Sequence, residues 1–70
     1  MSKETRTSEG MLIRLEVTDE LVVMRYGNII SFGKISHDDK DWIDHMLNTT
    51  SLKETADNIF KRIPLMRTVA

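Results

Sequence analysis

The apolar residues of this 70-residue chain change their period once, near residue 36. From Met11 to Ile35 they alternate, as in half-buried β-strands. From Ser36 to Ile63 they return every three or four positions, as on helices. The pattern predicts an α+β fold: a three-stranded antiparallel β-meander followed by two α-helices packed on one face. Residues 11–70 form the single small domain. Met1–Gly10 is polar after Met1 and reads as a disordered tail. A chain of this length is near the lower limit for a self-sufficient core, and it has no Cys to reinforce one.

Met11, Ile13, Leu15 and Val17 share one face of the first strand; Arg14 and Glu16 take the other. Thr18-Asp19 supplies a turn, Glu20 to Tyr26 a second strand, and Gly27-Asn28 a two-residue hairpin loop. Ile29 to Ile35 is the third strand, where Gly33 marks a bulge or a close backbone approach. This loop sets Tyr26 opposite Ile29, Met24 opposite Ser31 and Val23 opposite Phe32. The core face then carries Met11, Ile13, Leu15, Val17, Val22, Met24, Tyr26, Ile29 and Ile35. The opposite face carries Leu12, Leu21, Val23, Ile30 and Phe32, bordered by Arg14, Glu16, Arg25 and Lys34. Two helices do not readily cover both sides of a sheet. Either this second apolar strip is a binding surface, or the strands coil and bring both sets into one core.

Ser36 caps the first helix, with Asp38, Asp39 and Asp41 in its first turns, where negative charge suits the helix dipole. Trp42, Ile43, Met46 and Leu47 form its apolar stripe. Asn48-Thr49-Thr50 is a loop. Ser51-Leu52-Lys53-Glu54 is a capping box in which Ser51 accepts from the Glu54 amide and Glu54 reaches back. Leu52, Ala56, Ile59, Phe60 and Ile63 share one face of the second helix, and Pro64 ends it. Leu65 to Ala70 forms a last helical turn or docks as an extended tail.

The chemistry is sparse. Without Cys, thiolate metal sites and cysteine nucleophiles are excluded. His37, Asp41 and His45 fall at i, i+4 and i+8, but three ligands on one helix rarely close a metal shell, and a surface pair is the plainer reading. No Ser/His/Asp set, Gly-rich phosphate loop or paired-acid arrangement stands out. The expectation is a protein that is not an enzyme, with no cofactor, no metal and no small-molecule substrate. The longest apolar run is four residues, Leu21 to Met24, too short for a membrane span or signal-peptide core, so no membrane partner and a cytoplasmic location are expected. A net charge of −1 is not that of a typical nucleic-acid binder, although Lys53, Lys61, Arg62 and Arg67 gather in the C-terminal part.

Two resemblances follow from particular segments. Ser51-Leu52-Lys53-Glu54-Thr55-Ala56-Asp57-Asn58-Ile59 resembles the first helix of a helix-turn-helix, with the small Ala56 where a second helix crosses. With Ile35-Ser36, Trp42 and Met46 it is similar to the LuxR/GerE type of DNA-binding domain, although Phe60 replaces the usual turn Gly and Pro64 interrupts the next helix. That resemblance implies phosphate contacts from Lys53, Lys61 and Arg62, and base contacts from Arg67 and Thr68. The order of strands, Ile35-Ser36, an apolar helix and Thr50 to Ile59 also resembles the small PqqD-type winged-helix modules, which bind peptides by adding them to a sheet edge.

From the residues themselves, the leading expectation is a small regulatory protein that binds another protein or itself. Leu21, Val23, Ile30 and Phe32 would form the apolar contact, with Arg25 and Lys34 at its rim. A homodimer would use the same strip or the edge of the third strand. The alternative is a helix-turn-helix-like DNA-binding regulator.

Overall fold

A computed structural model describes every residue from Met1 to Ala70. The elements run β1 (Ser2–Arg6), β2 (Leu12–Val17), β3 (Leu21–Tyr26), β4 (Ile29–Lys34), α1 (His37–Thr49), α2 (Leu52–Arg62) and β5 (Met66–Val69). All five strands belong to one antiparallel sheet, in the order β1-β2-β3-β4-β5. Both helices pack on one face of it, around a single cluster of buried apolar residues.

The three expected strands are β2, β3 and β4. Their register is the one that the Gly27-Asn28 loop imposes, with Tyr26 opposite Ile29, Met24 opposite Ser31 and Val23 opposite Phe32. Gly27 has φ +63° while Asn28 stays at negative φ, the II′ pattern that suits the twist of a tight hairpin.

The sheet has two strands more than the alternation predicts. Met1–Gly10 is not a disordered tail: Ser2–Arg6 is β1, paired with β2 from Ser2 opposite Glu16 to Arg6 opposite Leu12. Its loop closes with the Gly10 amide on the Thr7 carbonyl at 2.9 Å, and Gly10 sits at φ +85°. That is a turn followed by a left-handed glycine, a common three-residue hairpin loop. Periodicity missed it because β1 is exposed along its whole length. An edge strand held by backbone bonds needs no apolar side chains, and polar ones protect it from pairing with other chains. At the other end, Met66–Val69 is β5, and it occupies the outer edge of β4. The edge of the third predicted strand is therefore not free for a second copy.

Helix starts and stops follow their side chains. Ser36 accepts from the Asp39 amide at 3.1 Å, and Asp39 takes the Ser36 amide in return at 3.4 Å, a complete capping box on α1. At α2, Ser51 accepts from the Glu54 amide at 3.1 Å. Glu54 does not reach back; its carboxylate takes the Thr50 hydroxyl instead. Ile63 is extended before Pro64 and closes α2 through a 2.9 Å bond to the Ile59 carbonyl. Trp42 packs against the core from its margin, under the Arg62 guanidinium, whose carbon lies 4.5 Å from the ring centroid.

The core is the face expected from alternation. Ile13, Leu15, Val17, Val22, Met24 and Ile35 of the sheet side meet Ile43 of α1 and Ala56, Ile59 and Ile63 of α2, all buried. Each fully buried Ile or Leu contributes roughly 1.5–3 kcal/mol. One buried group works against the core: the Ser31 hydroxyl has no hydrogen-bond partner. No helix is long and apolar enough to cross a membrane.

Candidate functional site

The helices leave the other face of the sheet open. Residues directly opposite in an antiparallel ladder share a face, so the registers define its rows. One row runs Ser2, Glu16, Val23, Phe32, Met66; the next runs Glu4, Arg14, Arg25, Ile30, Thr68; Leu21 and Lys34 face each other beyond the first. Each expected contact residue, Leu21, Val23, Arg25, Ile30, Phe32 and Lys34, therefore lies on this one face. Coiling does not bring the two apolar sets into one core: Leu21, Val23 and Phe32 are 42%, 37% and 39% exposed. Met66, more exposed still, extends the strip across β5 and was missed by sequence reasoning. The signal was present, since Met66-Arg67-Thr68-Val69 is rich in β-formers and follows a helix-ending Pro64.

The face has relief. A groove of about 470 Å³ is lined by Leu21, Phe32, Gly33, Lys34, Pro64, Leu65 and Met66. A smaller depression of about 190 Å³ is lined by Arg14, Glu16, Val23, Arg25 and Ile30. Arg14 bonds Glu16 at 2.5 Å. Arg25 donates from Nε to the Gly27 carbonyl at 3.0 Å, and neither it nor Lys34 has a carboxylate within ion-pair distance.

Two of the four C-terminal cations are ion-paired, on the helix side of the molecule. Lys53 pairs with Asp57 at 3.1 Å, and the hydrogen bond and charge of Asp57 hold its ammonium above the ordinary 10.5. Arg62 pairs with Asp39 at 3.2 Å, linking the two helices. Partial burial alone would raise the Asp39 carboxyl, but hydrogen bonds from Arg62 and the Ser36 backbone outweigh it, and Asp39 lies below 3.8. Arg67 and Thr68 stand on β5 rather than on a recognition helix. Arg67 and Lys61 line an open cleft of about 650 Å³ with Tyr26, Ile29, Asp57 and Phe60, and the Arg67 guanidinium carbon lies 5.2 Å from the Phe60 ring centroid. His37 and Asp41 meet at 3.7 Å on an exposed helix turn, and no three His, Asp or Glu side chains gather closely enough to hold a metal ion.

Comparison with family models, with curated proteins and with solved structures finds no match to this chain.

Proposed function

We propose that this chain is a small non-catalytic regulatory protein that works by protein–protein contact through its open sheet face. One observation carries the reading: Leu21, Val23, Phe32 and Met66 form a continuous exposed strip across β3, β4 and β5 of the sheet. Contiguous apolar surface of this kind marks interaction sites. Phe32 sits between Val23 and Met66 in its row, with charged residues around it, the arrangement of an anchor and a polar border. The backbone beneath is held by ladders on both sides of β4, so binding requires little ordering. A homodimer is one form of the same reading, with the strip packing on its own copy about a two-fold axis.

Phe32→Asp tests this. The side chain faces away from the core, so the fold should survive by circular dichroism, while partner binding or concentration-dependent self-association by light scattering should be lost. A folded variant that keeps both would remove the open face from consideration.

A second reading, DNA binding, is supported by the convergence of Lys61 and Arg67 on one cleft without ion partners. Lys53, Lys61 and Arg62 would meet phosphates and Arg67 would reach bases from a strand, while Thr68 lies on the opposite, open face of the sheet. A gel shift that shows no salt-dependent binding at low ionic strength removes it, because phosphate contacts are strongest there.

A further inference from the structure

Resting on the open-face reading, we propose that the segment that docks there is acidic as well as apolar: a stretch of another protein that places a carboxylate between Arg14 and Arg25 and a bulky apolar side chain in the groove beside Phe32. The charges on this face do not mirror those of the chain. Arg6, Arg14, Arg25 and Lys34 stand against only Glu4 and Glu16. The face thus has a surplus of two positive charges on a chain whose net charge is −1, and the remainder of the molecule holds three negative charges in excess.

The pairing within the face points to where the carboxylate goes. Arg14 and Arg25 are direct cross-strand neighbours, and like charges so placed destabilise a sheet. Glu16 relieves Arg14, while Arg25 has only a carbonyl. Both line the same depression with Glu16, Val23 and Ile30, and since Glu16 already holds Arg14, Arg25 is the cation left to take a further carboxylate. A carboxylate there would gain charge-assisted bonds from planar guanidinium donors over an apolar floor. The apolar groove begins at Leu21, four residues from Arg25 along β3, or about 13 Å at strand rise. An occupant therefore needs an acidic and a large apolar side chain at about that spacing. A second copy presenting its own open face meets these requirements badly, because it brings cations against cations.

The test is selection from a displayed library of random peptides, each about 16 residues and so able to span the face when extended. The bait is the full chain, with the uncharged Phe32→Ser as counter-bait after circular dichroism has shown it folded. Peptides that require Phe32 should be enriched in Asp or Glu together with Leu, Ile, Phe or Trp. The best of them should bind Arg25→Glu at least about tenfold more weakly, with a smaller loss for Arg25→Gln, as expected when an opposed charge replaces a pairing one. Phe32-dependent peptides without acidic bias, or equal affinity for Arg25→Glu, overturn the acidic occupant and leave the open-face reading standing. Failure to find any peptide that distinguishes wild type from Phe32→Ser removes both. Self-association of the chain alone that both Phe32→Ser and Arg25→Glu abolish also overturns the proposal, because the occupant would then be another copy of this chain.

Discussion

Gly33→Ala probes the close approach of the chain entering β5 to β4. A Cβ at this position would lie 2.7 Å from the Pro64 carbonyl oxygen and 2.9 Å from Leu65 Cδ2. Leu65 can rotate away, but the Pro64 oxygen belongs to the backbone that delivers the chain into β5. Relieving the overlap therefore means moving the start of β5 off β4. Such overpacking costs about 1–3 kcal/mol, and the entropy lost from the unfolded chain on replacing Gly returns about 0.4–1 kcal/mol. The net loss is on the order of 1–2 kcal/mol, or roughly 5–15 °C in melting temperature for a domain of this size. Thermal melting followed by circular dichroism measures the total. Amide hydrogen exchange locates it: the Thr68 amide, which the ladder turns toward Ile30, should lose protection before any amide of β2 or β3. A variant that melts at the wild-type temperature with Thr68 still protected would show that β5 is not held by this contact, and the reasoning fails.

Three further outcomes are expected. Ile59→Ala empties a fully buried position where α2 meets the sheet and should cost about 2–5 kcal/mol in denaturant melts; a loss under about 1 kcal/mol would mean that α2 is loosely packed. Ser31→Ala removes a buried hydroxyl without a partner, so stability should hold or rise by up to about 1 kcal/mol, and a marked fall would show that the hydroxyl is bonded after all. Asp39 is held below its ordinary 3.8 in the folded state, so its contribution is complete above that pH and disappears as the pH falls through the lower folded-state value. Carboxyl NMR titration should find the Asp39 midpoint below 3.8 and raised in Arg62→Gln; an unchanged midpoint in the variant would exclude Arg62 as a cause.

Legibility varied with how much side-chain burial each element needs. β2 and β3 alternate because one face is core and the other is not, and the two-residue loop Gly27-Asn28 allows β4 only one register against β3. The same alternation placed Leu21, Val23, Ile30 and Phe32 together, since a pleat admits only two faces. β1 was illegible by that route, because Ser2 to Arg6 bury nothing and are ordered by backbone bonds to β2. Its one local sign was Gly10, the left-handed end of a turn. β5 was half legible: Pro64 showed where α2 must end, but four residues carry too little pattern to choose strand over helical turn. Gly33 announced a close approach without naming Pro64, because the partner is thirty-one positions away in sequence. What the open face binds was out of reach at that level, since the opposition of Arg14 and Arg25 exists only once the strands are paired.

The order of strands across the sheet is also the order in which a ribosome would release them. β1 to β4 can zip up pair by pair as they emerge, each beside the one just made, and such local pairing is fast. The residues that cover Ile13, Leu15, Val22 and Met24 come later, on α1 and α2. Before the helices dock, the sheet would thus be apolar on both sides, with the flank of β4 still waiting for β5. That intermediate is far stickier than the finished protein. Refolding at rising chain concentration should therefore lose yield to aggregation without changing the stability of the molecules that complete it.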